Sequence, residues 1–187
     1  MTDEQQVPYW RLSSFYFAYF AALGAILPYW SLYLQSIYFD AKAIGQLTAI
    51  LVASKIIAHN LWGWLADHHG QRMLIIRLGS LISLIAFAGA FFTTSFWGLA
   101  IVMLCFGFFW NATLPQFEVT TLNHLGESHH GYSRIRVWGS IGFVFTVWLL
   151  GILFEYKPIN ILITAIFVIM VLIFIISLLL SDDKKEF

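Results

Sequence analysis

Six apolar runs, each close to the roughly 20 residues a helix needs to cross hydrocarbon, dominate this chain. They are continuous rather than alternating, which favours helices over barrel strands. The candidate spans are Leu12 to Leu34, Ile44 to Leu65, Met73 to Phe92, Trp97 to Leu122, Val137 to Phe154 and Ile159 to Leu180. With 60% hydrophobic and 11% charged residues, the chain is neither a soluble domain nor disordered. Cys105 is the only cysteine, so an internal disulfide is excluded. Ten Lys plus Arg balance ten Asp plus Glu, and no net charge draws the chain to nucleic acid. An all-α, multi-pass membrane protein in contact with the lipid bilayer is what remains.

Polar breaks separate the runs: Phe39-Asp40-Ala41-Lys42, Asp67 to Gln71, Thr93-Thr94-Ser95, Gly126 to Ser133, and Glu155-Tyr156-Lys157-Pro158. The organisation expected is a polar tail over 1–11, a six-helix bundle over 12–180, and a tail or linker over 181–187. No secretory signal is evident. One side of the membrane gathers Arg11, Arg72, Arg77, Arg134, Arg136, Lys184 and Lys185, and the other only Lys42 and Lys157. The excess of positive charge on cytoplasmic loops then places both termini in the cytoplasm.

Two spans share an echo: Gly24-Ala25-Ile26-Leu27-Pro28 in the first and Asn111-Ala112-Thr113-Leu114-Pro115 in the fourth. Either chance in a leucine-rich chain or an inverted three-plus-three repeat explains it. A proline within a spanning helix frees a carbonyl, which neighbours or a cavity must satisfy. Pro28 and Pro115 therefore mark either simple kinks or cavity-lining helices.

Ionisable residues inside spans are the strongest functional signal a membrane sequence offers. Lys55 sits at the midpoint of span two, with Ser54, His59 and Asn60 close by and His59 on its face at i, i+4. It is either paired for structure or meets an anionic solute. Glu118, late in span four, and Arg136, opening span five, flank one turn at similar distances. A straight helix carries Glu118 about 31 Å from Trp97, near the membrane rim. A rim salt bridge and a pair facing a cavity both remain open at this point. His68-His69 and His129-His130 read as solvated loop residues; no spacing supports a metal site. No cofactor or catalytic motif is present, so no enzyme is expected.

Gly63-Trp64-Leu65-Ala66-Asp67-His68-His69-Gly70-Gln71-Arg72 closes span two. Two glycines suit close approach and a tight turn, Asp67 suits the start of span three, and Arg72 supplies a surface cation. The string resembles the signature loop of the major facilitator superfamily, Gly-x-Leu-Ala-Asp-Arg-x-Gly-Arg-Lys/Arg. His68 and Gln71 stand where that pattern is basic. The resemblance implies a gating role for Gly63, Asp67, Gly70 and Arg72, and a fold of six helices as two inverted three-helix repeats, half of a major facilitator transporter. Asn111, Pro115 and Glu118, with Arg134-x-Arg136-x-x-Gly139-x-x-Gly142, resemble the sugar-binding hairpin of the lactose permease family. That implies Asn111, Glu118 and Arg136 as binding residues, although Phe143 replaces the tryptophan that stacks on sugar there.

Longer strings (Pro8 to Phe17, Asn60 to Asp67, Phe109 to Ala112, Leu114 to Glu118, Tyr132 to Phe143) resemble the phenylpropionic-acid:proton symporter branch, related to nucleoside:proton symporters. The resemblance implies symport of a small organic solute, such as an aromatic carboxylate, with protons across a bacterial cytoplasmic (inner) membrane. Arg136 and Lys55 would then meet the carboxylate, and Tyr16, Tyr19 and Phe20 either face the aromatic ring or simply pack. A second six-helix half or a homodimer partner would complete the pathway. A sugar or nucleoside symporter of the same fold, and a truncated non-transporting half, are the alternatives.

Overall fold

Backbone hydrogen bonding carries four of the helices past the point where apolar character ends. The computed structural model describes residues 8–126 and 129–180. Six long helices follow one another: α1 (Tyr9–Ser36), α2 (Ala41–His69), α3 (Arg72–Ala88, extended by a 3-10 turn at Gly89–Phe91), α4 (Phe96–Leu125), α5 (His129–Tyr156) and α6 (Ile161–Leu179). All six are long and apolar enough to cross a membrane. α1 begins at Tyr9, so three residues of the expected tail are helical; 1–7 and the expected tail at 181–187 lie outside the described residues. α5 starts eight positions before Val137, because charged side chains stop hydropathy but not a helix.

Local chemistry fixes the ends. Asp40 caps α2, its Oδ1 accepting from Ala43 N at 2.8 Å, and Ser95 Oγ caps α4 by accepting from Gly98 N at 3.2 Å. Gly70 ends α2 in the left-handed region (φ 64°), donating its N–H to Ala66 O at 2.9 Å. Two arginines serve the carbonyls that the end of α6 leaves open: Arg77 donates to Ser177 O and Leu180 O, and Arg11 donates to Leu179 O.

α1 packs along α5 and α6, and α4 packs along α2 and α3, while α3 meets α6. Exchanging α1–α3 for α4–α6 maps this contact pattern onto itself, which is the inverted repeat. α1 and α4 are the most enclosed helices and α2 and α5 the least. Close approach has a cause in the sequence. A Cβ added at Gly24 would lie 2.6 Å from Phe143 O, and one at Gly142 would collide with Phe17 O, so α1 and α5 touch backbone to backbone. One at Gly107 would strike the Ser54 side chain, with Leu51 O at 3.3 Å, so α4 and α2 also pack closely there. Gly63 does not serve this purpose: nothing lies within 4 Å of a Cβ there.

Candidate functional site

Three helices each turn a stripe of residues spaced by four toward one cavity of about 530 Å³. α1 supplies Tyr19, Leu23 and Leu27, α2 supplies Leu51, Lys55 and His59, and α4 supplies Phe106, Trp110, Leu114 and Glu118. One such stripe per helix is the geometry expected where helical faces line a common space. Ligand pockets span roughly 300–1,000 Å³, so a small organic solute fits. Asn111 and Pro115 also line the cavity. Pro28 does not; it is exposed near the far end of α1.

The floor is aromatic and the wall is charged. Tyr19 stacks on Trp110 with ring centroids 4.1 Å apart and planes 7° from parallel, and Trp110 stacks in turn on Phe106 at 5.6 Å. Lys55, at the midpoint of α2, and His59 one turn on are exposed, and Glu118 is half-buried across from them. Asn111 donates Nδ2 to Gly107 O at 2.7 Å, a bond to the preceding turn that leaves its side-chain oxygen available.

Arg136 and Tyr16 take different places. The Arg136 guanidinium lies over the Phe20 ring at 3.9 Å and over the Tyr16 ring at 5.5 Å, which is cation–π geometry. Among the described residues it makes no hydrogen bond and no ion pair, and Glu118 makes none with it. The rim salt bridge considered above is therefore not formed. Phe20 packs beside Tyr19 at 5.8 Å, but neither Phe20 nor Arg136 is among the residues that line the cavity. Tyr16 is fully buried against Phe117 at 5.0 Å and is not among the cavity-lining residues.

At the far end of α2, Arg72 pairs with Asp67 at 2.7 Å and donates to Gln116 Oε1 on α4, also at 2.7 Å. Gln116 reaches on to Trp62 O at 3.5 Å. This corrects the expectation for Asp67: it stands in the last turn of α2, where the helix dipole disfavours an anion, and Arg72 at the start of α3 offsets that. His68 lies against Trp64, and the side chains of His69, His129 and His130 lie outside the described residues. Among the described residues, no three His, Cys, Asp or Glu gather as a metal site would require.

Six helices in an inverted repeat, with this loop and this cavity, match a known family over residues 9–186: the MFS_1 like family. The chain belongs to that family. It is 29% identical over 158 residues to the "Probable 3-phenylpropionic acid transporter" of Escherichia coli (strain K12), covering 80% of this chain and 40% of that protein. It is 29% identical over 144 residues to the "Maltose permease" of Geobacillus stearothermophilus, covering 76% of this chain and 36% of that one. The crystal structure of the nucleoside transporter NupG superposes with a TM-score of 0.83 at 20% identity, covering 93% of this chain and 44% of NupG. That likeness gives the fold, one half of a major facilitator bundle. The MFS_1 like chain thus spans well under half the length of these relatives.

His59, Phe106 and Trp110 were not singled out as site residues from sequence alone. The every-fourth-residue spacing from Lys55 and from Glu118 is the signal that identifies them.

Proposed function

We propose that this chain is one half of a secondary active transporter, and not an enzyme, which carries a small organic anion, an aromatic carboxylate, together with protons. The observation that carries the reading is a single cavity holding Lys55, Asn111 and Glu118 above a stacked Tyr19–Trp110 floor. An aromatic ring suits that floor, and a carboxylate suits Lys55 together with Arg136, whose planar fork has no acceptor of its own among the described residues. The printed name of the Escherichia coli relative supports the same solute class. In this reading Glu118 and Asn111 orient the solute, and the Asp67–Arg72 pair with Gly63 and Gly70 belongs to the gate.

The complete pathway would close when a second six-helix half, or a second copy, covers the open side of the cavity, with alternating access by rocking of the two halves. Arg11, Arg72, Arg77 and Arg134 lie at one end of the bundle and Lys42 and Lys157 at the other. That asymmetry supports a bacterial inner-membrane protein with both termini in the cytoplasm. The test is solute-dependent protection of the chain in lipid nanodiscs against thermal unfolding, using 3-phenylpropionate, maltose and uridine. Protection by 3-phenylpropionate alone, weakened at least about tenfold in Lys55→Gln or Arg136→Ala, is expected for two charge-assisted contacts. Protection by maltose or uridine instead would replace the solute class with a sugar or a nucleoside. No protection by any solute would leave a non-transporting half as the better reading.

A further inference from the structure

His59 is the cavity residue that the solute reading leaves without a task. The other histidines whose side chains are described lean on their own helices: Nδ1 of His68 lies 3.1 Å from Trp64 O, and Nδ1 of His124 lies 2.8 Å from Thr120 O. His59 stands on the same kind of helix but makes no such bond, nor any other among the described residues. Its imidazole is exposed on the cavity wall, one turn from Lys55.

The groups facing it are few. α2 itself contributes Lys55. α4, packed along α2, contributes Glu118 and the neutral Asn111, and α1 contributes the Tyr19 phenol. α3 carries Arg72, which does not line the cavity and is engaged by Asp67 and Gln116 at the end of the bundle. Arg136, on α5, is held over Phe20. Of these side-chain types, only imidazole ordinarily changes charge between pH 5 and 8. His59 is the one imidazole among the residues that line the cavity.

We propose that His59 binds the proton that accompanies an anionic solute into this cavity. The inference rests on the anionic-solute reading above. An anion entering a low-dielectric cavity is attracted to the imidazolium and not to the neutral ring, so its arrival raises proton occupancy at His59. By linkage, protonation raises affinity for the anion by the same factor. No bond is made or broken; the balance is one anion and one proton taken from water. With the proton aboard, ring and anion together leave the charge of the wall as it was.

The experiment is isothermal titration of the full chain in nanodiscs with 3-phenylpropionate and with neutral 3-phenylpropionamide, from about pH 6 to pH 8.5, where a carboxylate is ionised. Repeating it in buffers of different ionisation enthalpy counts the protons taken up. For the wild type, anion affinity should fall by up to about tenfold per pH unit above the imidazole range, with up to one proton taken up per anion. The amide should bind without pH dependence. His59→Gln should bind the anion weakly and equally at every pH, with no proton uptake. His59→Lys, which fixes a charge there, should hold the acid-side affinity across the range. A slope that survives in His59→Gln, or that disappears in Glu118→Gln while His59 is intact, overturns the assignment. So does flat anion affinity in the wild type, and that result leaves the anionic-solute reading standing. Binding of maltose or uridine with no binding of 3-phenylpropionate overturns the solute reading, and this inference falls with it.

Discussion

At the scale of single residues, two kinds of glycine separate cleanly. Gly24 and Gly142 are places where another helix's carbonyl occupies the space of a side chain, at Phe143 and Phe17 respectively. Gly63 has open space around it. Gly142→Val must push α5 off α1, and overpacking of this kind costs roughly 1–3 kcal/mol, more where backbone opposes backbone. Gly63→Ala meets nothing and removes a poor helix former, so its effect on stability should stay within about 0.5 kcal/mol of zero or be slightly favourable. Thermal unfolding of the two variants in detergent checks this: a drop confined to Gly142→Val is expected, and equal drops would mean that Gly63 makes a contact after all. Gly63 is small enough for the close approach its residue type suggests, but smallness states what could fit beside a residue and not what is there. The charged cavity residues were easier to read, because an ionisable group in a span must face something polar. Tyr16 and Tyr19 show the limit. Both are tyrosines on α1 three positions apart, which places them nearly one turn apart on neighbouring stripes. Only the positions of α4 and α5 decide that Tyr19 meets the cavity and Tyr16 packs beneath Arg136.

At the scale of helices, Arg72 is the knot. One side chain at the start of α3 holds Asp67 of α2 and Gln116 of α4. The two bonds differ in environment. Asp67 is 68% exposed by its side chain, so its pairing should contribute about 0.2–1 kcal/mol and weaken with salt. Gln116 is buried, and a hydrogen bond there to a charged donor should contribute roughly 1.5–3 kcal/mol. Gln116→Leu should therefore destabilise more than Asp67→Asn, and only the Asp67→Asn effect should shrink when unfolding is measured in high salt. Equal costs at both positions would place the strength of the knot at the surface pair. Helix existence and order were legible from hydropathy alone, since each run has the length of a membrane crossing. Helix ends were not. Tyr9 to Arg11, Lys42 and the stretch from Gly131 to Arg136 are too polar to count as span, yet they continue the hydrogen-bond ladder of α1, α2 and α5. A hydrophobic scale measures where hydrocarbon ends, whereas the start of α2, the start of α4 and the end of α2 are set by Asp40, Ser95 and Gly70, which take over unpaired groups there.

At the scale of the whole molecule, the unequal covering of the helices carries the argument. α1 and α4 are enclosed by their neighbours, whereas α2, which lines the cavity, and α5 are the least covered. In a bilayer, apolar exposure alone says nothing, because lipid satisfies it. Lys55 and His59 are another matter: both are exposed on α2 within a span, and a lysine facing acyl chains costs at least about 2.5 kcal/mol. Something polar or water-filled must therefore lie beside α2, and the proposed second bundle, closing over the cavity, would supply it. Ile56 on α2 and Val144 on α5 are both strongly exposed, and Ile175 is exposed on α6, which lines no part of the cavity. Cys105 on α4 is exposed and would confuse a thiol experiment, so Cys105→Ser is the background. Single cysteines introduced as Ile56→Cys or Val144→Cys, treated with a thiol-to-amine cross-linker that carries its own disulfide, should link to a partner bundle in native membranes, seen as a band of higher mass that reductant removes. Ile175→Cys should remain uncross-linked at the same expression level. Cross-linking at Ile175→Cys with none at the other two positions would turn the bundle around: the cavity would then face lipid, and the charges on α2 would need a source of water other than a second half.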